Sequence, residues 1–161
     1  MSDLRSVFET LHNSFHPMVL QMCRGFMNGD KELAADLAQD VFINVWNALP
    51  GFRKDSSHKT WIYRITVNTC LQHIRKFKNR IKVPIEHAGV ITEADEEVDQ
   101  SKNLMNAIGQ LENIDRLVIM MVLDELEYEE IARVMGISEN NLRVKIHRIK
   151  LKLKTLLNYG K

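Results

Sequence analysis

Apolar residues recur every three or four positions along most of this chain, and that spacing predicts helices. The first runs over 4–26, with Leu4, Val7, Phe8, Leu11, Phe15, Val19, Met22 and Phe26 on one side. Pro17 lies inside it and is expected to end or bend the helix. Asn28-Gly29-Asp30 reads as a turn and the start of a second helix over 31–49. There Leu33, Leu37, Val41, Phe42, Val45, Trp46 and Leu49 fall on one side, and Asp36, Gln39, Asp40, Asn44 and Asn47 on the other. Pro50-Gly51 stops it, and a short polar loop, FRKDSSHK, covers 52–59. A third helix, capped by Ser56 or Ser57, carries the stripe Trp61, Ile65, Leu71, Ile74 and Phe77, with a basic later face at Arg75, Lys76, Lys78, Arg80 and Lys82.

The pattern then breaks. Between Pro84 and Ser101 there is no lysine or arginine, whereas Glu86, Glu93, Asp95, Glu96, Glu97 and Asp99 crowd the stretch. Residues 83–101 are therefore expected to be a flexible acidic linker. Helical spacing resumes with Leu104, Ile108 and Leu111, then Leu117, Val118, Met121 and Val122. The last two helices are the most sharply drawn. Ile131, Ala132, Val134 and Met135 give the first an apolar side. Gly136 supplies the left-handed residue that ends it, and Ser138 supplies a cap for the next. That next helix spaces Leu142, Ile146, Ile149, Leu153 and Leu156 by four, three, four and three, while Arg143, Lys145, His147, Arg148, Lys150, Lys152 and Lys154 occupy its other faces. No acidic residue occurs from Asn140 to Lys161. Helix, glycine turn and basic second helix form the helix-turn-helix pattern of DNA-binding proteins. The expected fold is all-α: two small helical domains over 1–82 and 102–161, joined by the linker.

Composition narrows the function by exclusion. The formal net charge of the 161 residues is only +1, so it is the segregation of charge along the chain, not its total, that points to nucleic acid. Two isolated cysteines, Cys23 and Cys70, make neither a disulfide framework nor a zinc site, and both fall in apolar helical pattern as buried thiols. His12 and His16 share a helix face at i, i+4, but a terminal amphipathic helix more often exposes such residues without function. No nucleophile–base pair, glycine-rich phosphate loop or metal-ligand cluster is legible, so neither an enzyme nor a cofactor is expected. The N-terminus has no apolar signal core, which predicts a cytoplasmic protein.

Two segments carry a family resemblance. AADLAQDVFINVWNALPGFR over 34–53, followed by TWIYRITVNTCLQHIRK over 60–76, resembles region 2 of the extracytoplasmic-function (ECF) sigma factors. LEYEEIARVMGISENNLRVKIHRIKLKL over 126–153 is similar to their region 4. The resemblance implies an alternative sigma factor that binds RNA polymerase core, recognises two promoter elements and melts the −10 region. It implies that Asp36, Gln39, Asp40, Asn44 and Asn47 dock on the clamp helices of the largest polymerase subunit. It places Phe52, Asp55, Ser56 and Ser57 around a flipped −10 base, Arg64 and Asn68 near the melted strand, and Arg75 and Lys76 on phosphates of the adjacent duplex. Trp61 and Tyr63 are aromatic, as helps hold unpaired strand, although Trp61 sits on the apolar stripe and is expected in the core. Asn140, Asn141, Arg143, His147 and Arg148 would read the −35 element, with Lys145 on phosphate. Asn140-Asn141 replaces the family's usual Gly-Thr at this turn, so promoter specificity is expected to depart from the family's. An anti-sigma protein, often membrane-anchored in this family, is the implied inhibitory partner, and no small-molecule substrate is implied. A conventional helix-turn-helix regulator with an N-terminal sensing or dimerisation domain is the competing reading; the basic third helix argues against it.

Overall fold

A computed structural model of the chain describes residues 2–54, 56–80 and 99–159. Among these it is all-helical: α1 (Ser2–Phe26), α2 (Lys31–Ala48), a 3-10 turn (Leu49–Gly51), α3 (His58–Arg80), α4 (Asp99–Gly109), α5 (Asn113–Leu123), α6 (Tyr128–Met135) and α7 (Glu139–Tyr159). The expected linker lies outside the described residues as far as 98, and α4 begins at Asp99.

Local chemistry accounts for the joints. Asn28 and Gly29 take φ of 58° and 83°, turning the chain after α1. The Asp30 carboxylate then accepts a hydrogen bond from the Leu33 amide at 3.1 Å and caps α2. Pro17, expected to end or bend the first helix, does not end it: α1 is continuous through it. Pro17 and Asn13, whose carbonyl loses its donor, are both exposed, whereas Leu11, Val19, Met22, Cys23 and Phe26 are buried. The missing bond thus falls on the exposed side of α1, and burial on both sides of the proline outweighs it.

Helices α1, α2 and α3 pack against one another, and α4 to α7 form a second unit. These are the two helical units expected, but they are not separate cores. α1 also packs on α4 and α5, α3 packs on α6, and the buried side chains form one continuous cluster from Leu11 to Leu153. The junction is specific. Arg116 Nη1 donates to the Phe26 carbonyl at 2.8 Å, and the guanidinium lies 5.4 Å from the centre of the Phe26 ring. A second guanidinium nitrogen donates to the Asn113 side-chain carbonyl. Arg116 thus supplies a partner to a carbonyl in the last turn of α1, where helices run out of their own donors. Its partial burial lowers its pKa from the ordinary arginine value. Gly25 is equally committed: any Cβ there would strike the buried Met120 thioether.

Candidate nucleic-acid interface

In the C-terminal unit the helix-turn-helix is built as its chemistry demands. Gly136 adopts φ 69°, and its amide donates to the Ala132 carbonyl. Ser138 Oγ accepts from the Asn141 amide at 3.1 Å and caps α7. Leu142, Ile146, Ile149 and Leu153 are buried. Asn140, Asn141, Arg143, His147 and Arg148 are all exposed. Two of the cations are less free than their spacing implies. Arg143 pairs with Glu139 at 2.8 Å and lies over the Tyr128 ring, 5.4 Å from its centre. Lys145 is half-buried and pairs with Asp115 of α5 at 3.2 Å, so it braces α7 against its own unit. The exposed surface of α7 also includes two apolar side chains, Val144 and Leu151, absent from the sequence reading.

The second cationic surface is on α3. Arg64, Asn68, Arg75 and Lys76 are all exposed. The loop that precedes them is organised by rings: Phe52 stacks on His58 with centroids 4.7 Å apart at 28°, and meets Trp61 at 4.7 Å and 50°. Trp61, expected in the core, is only half-buried and belongs to this cluster. Tyr63, expected to help hold unpaired strand, is fully buried and is a core ring. One position along a helix separates its face by about 100°, so two aromatics two apart point in different directions. Ser57 Oγ accepts from the Thr60 amide at 3.1 Å and donates to Thr60 Oγ1 at 3.0 Å, so it is the cap of α3. Ser56 is half-buried beside it. Asp55 lies outside the described residues.

The exposed side of α2 carries Asp36, Gln39, Asp40 and Asn47. Asn44 does not join them: its amide donates to Thr69 Oγ1 at 2.9 Å, and Thr69 in turn donates to the Ile65 carbonyl at 2.7 Å. Asn44 therefore holds α2 to α3. In its place the exposed side has Leu33, Ile43 and Trp46, of which Leu33 and Trp46 were expected inside. Trp46, 45% exposed, helps line an open cleft of about 580 Å³ together with Phe8, His12, His16, Asp36, Gln39, Phe42 and Ile43. The His12 and His16 rings lie 5.0 Å apart and both face Phe42. Among the described residues no group of three histidine, cysteine or acidic side chains is placed to hold a metal ion.

Comparison with known proteins identifies the two units separately. Residues 11–80 match the family profile "Sigma-70 region 2", and residues 101–153 match "Sigma-70, region 4". The RNA polymerase sigma factor YlaC of Bacillus subtilis is 31% identical over 132 residues, covering 76% of both chains.

The chain belongs to the sigma-70 family, as an ECF sigma factor.

The ECF sigma factor SigM of Mycobacterium tuberculosis is 24% identical over 156 residues, 96% of this chain and 79% of that one. The sigma factor RpoE of Bartonella quintana, solved in complex with the anti-sigma factor NepR, shares the fold at a TM-score of 0.77 and 20% identity, over 96% of this chain and 98% of that one. This sigma factor is thus an alternative specificity subunit that directs promoter-specific initiation by RNA polymerase. No described helix is long and apolar enough to cross a membrane. Spacing alone did not single out His58, whose ring stacks on Phe52, or Ile43, and it assigned the exposed Trp46 to the apolar side.

Proposed function

We propose that this sigma factor divides its work among three surfaces. The exposed side of α2, with Asp36, Gln39, Asp40 and Asn47 around Ile43 and Trp46, docks on the clamp helices of core polymerase. Acids and amides ringing an exposed aromatic suit a protein partner, because buried aromatics supply most interface energy while the rim sets orientation. The Phe52, His58 and Trp61 rings hold unpaired −10 strand, which stacks on aromatics without needing sequence complementarity. Arg64 and Asn68 contact the melted region, Arg75 and Lys76 hold duplex phosphates, and Asp55, Ser56 and Ser57 border the flipped base. Helix α7 enters the major groove of the −35 element. The factor itself makes and breaks no bond; it works in the cytoplasm and is restrained by an anti-sigma protein, membrane-anchored in the simplest arrangement.

The observation that carries this reading is the presence of two exposed cationic surfaces, on α3 and α7, in one chain whose net charge is +1. A sensor unit has no use for the first. Each surface binds weakly alone, and tethering them raises the effective concentration at the second site. The contact between α3 and α6 has a consequence for this design. Elements at −10 and −35 lie roughly 25 base pairs apart, about 85 Å at ~3.4 Å per step. A compact chain of 161 residues has a radius of gyration of only about 15 Å. The two units therefore separate when they engage a promoter, and the Arg116 junction is part of what must release.

The test is transcription of fragmented host DNA by core polymerase with and without the protein, with RNA 5′ ends sequenced. New starts that share two upstream motifs at fixed spacing are the expected result. Sequence-specific DNA binding without polymerase, and no new starts, would overturn the three-surface assignment.

A further inference from the structure

Helix α7 exposes two apolar side chains in the middle of an otherwise polar, basic surface: Val144 at 52% and Leu151 at 53%. Their placement is not marginal. At about 100° per residue, the buried positions Leu142, Ile146, Ile149 and Leu153 define one line along the helix, and Val144 and Leu151 lie within about 20° of the line opposite. Asn140 and His147 flank that outward ridge, with Arg148 beside it. Arg143, by contrast, is turned about 90° away and is held by Glu139 and the Tyr128 ring. The side chain at the crest of the recognition helix is a valine, not an arginine.

Valine at this position serves neither the helix nor the core. β-Branched residues are poorer helix formers than Ala, Lys or Arg, and an exposed isopropyl group buries nothing. In the major groove, however, one base presents an apolar feature, the C5-methyl of thymine, and apolar side chains recognise it by contact. The basic side chains around Val144 favour DNA over a hydrophobic protein surface as the occupant, and the ridge is continuous with the surface already assigned to the −35 element. Position along the helix separates the two apolar residues. Recognition helices present their N-terminal residues to the bases. Val144 is in the second turn of α7, and Leu151 lies about 10 Å farther along, at ~1.5 Å per residue.

We propose that Val144 is a specificity-determining residue of the −35 contact and reads the methyl group of a thymine, with Asn140 and His147 addressing the neighbouring pairs. This rests on the reading that α7 lies in the major groove. It requires a T·A pair within the −35 element, at the centre of the footprint of α7.

The experiment uses the holoenzyme and a promoter recovered from the genomic transcription assay. Each thymine of the upstream element, on either strand, is replaced singly by deoxyuridine, which removes only the methyl group, and each base pair is separately inverted. The wild-type holoenzyme should lose about fourfold in open-complex formation at one uracil, the transfer value of one buried methyl. Val144→Ala should lose about as much on the thymine template and be indifferent to that same thymine-to-uracil change. Val144→Thr, which keeps one methyl, should retain part of the discrimination. A wild-type enzyme insensitive to every uracil, an element without thymine, or a Val144→Ala variant as methyl-sensitive as wild type overturns the proposal. If inversions matter while methyls do not, only the role of Val144 falls. If no upstream inversion matters, the placement of α7 in the groove falls with it.

Discussion

In the C-terminal unit almost every residue lies where its spacing placed it, and in the N-terminal unit several do not. In α6 and α7, Gly136, Ser138 and the buried stripe from Leu142 to Leu153 stand where the pattern put them. In α1 to α3, Pro17 sits inside an unbroken helix, Trp46 is exposed, Tyr63 is fully buried, and Asn44 points at Thr69 instead of a partner. The difference lies in the breadth of the buried face, not in the number of neighbours: α7 also packs on three helices, α4, α5 and α6, but through one narrow line. α7 has one buried line and one solvent face, so polarity sorts its residues cleanly. α3 packs on α1 and α2 within its own unit and on α6 across the junction, and α1 packs on α2, α3, α4 and α5. A helix enclosed on several sides has no single apolar stripe for the sequence to display.

The largest expected effect tests whether these two regions are energetically one body. Leu142→Ala removes a fully buried side chain from the C-terminal unit and should cost about 2–5 kcal/mol. Both tryptophans, Trp46 and Trp61, lie in the N-terminal unit and report on it by fluorescence. Because the core is continuous, the Trp-detected midpoint in denaturant should fall together with the far-ultraviolet circular dichroism midpoint. A tryptophan transition left unchanged by Leu142→Ala would show that the units unfold independently.

Next in size is the junction itself. Arg116→Ala removes the donor to the Phe26 carbonyl and should cost about 1–3 kcal/mol. It should also uncouple the two transitions and, because the junction releases on a promoter, raise the rate of promoter engagement. A variant that loses stability while its transitions remain coincident would mean that α3–α6 packing, not Arg116, ties the units together.

A smaller pair of substitutions separates docking from bracing within the N-terminal unit. Trp46→Ala should weaken core polymerase binding by about tenfold, near 1.4 kcal/mol, with little loss of stability for so exposed a ring. Asn44→Ala should do the reverse, losing about 1 kcal/mol of stability with the polymerase affinity kept. Fluorescence anisotropy with purified core measures both affinities, and equal affinity losses would return Asn44 to the docking surface.

The smallest effect is on pH. Cys70 is hydrogen-bonded to Cys23, and that bond, with burial, pushes its thiol well above the usual range. A folded-state pKa above the unfolded one means the native protein holds its proton longer. That contribution is complete below the unfolded value of about 8.5 and is lost as pH rises toward the folded value. Stability should therefore decline above about pH 8.5, and Cys70→Ser should flatten the slope in denaturant titrations across that range.

Much of this sigma factor is thus written locally. The helices, the glycine and serine that shape the helix-turn-helix, the buried line of α7 and its cationic faces all follow from residue type and spacing, because helix period and capping act over only a few residues. The exposed set on α3 is legible for the same reason. What only the tertiary structure decided is which of several similar residues faces out. Trp46 and Tyr63 are both large aromatics on amphipathic helices, yet one lies at the rim of a cleft and the other at the centre of the core. The merging of two units into one core, the Arg116–Phe26 clasp across 90 residues and the outward crest at Val144 likewise depend on how helices pack. Packing is a property of pairs of elements distant in sequence, and no periodicity within one element specifies its neighbours.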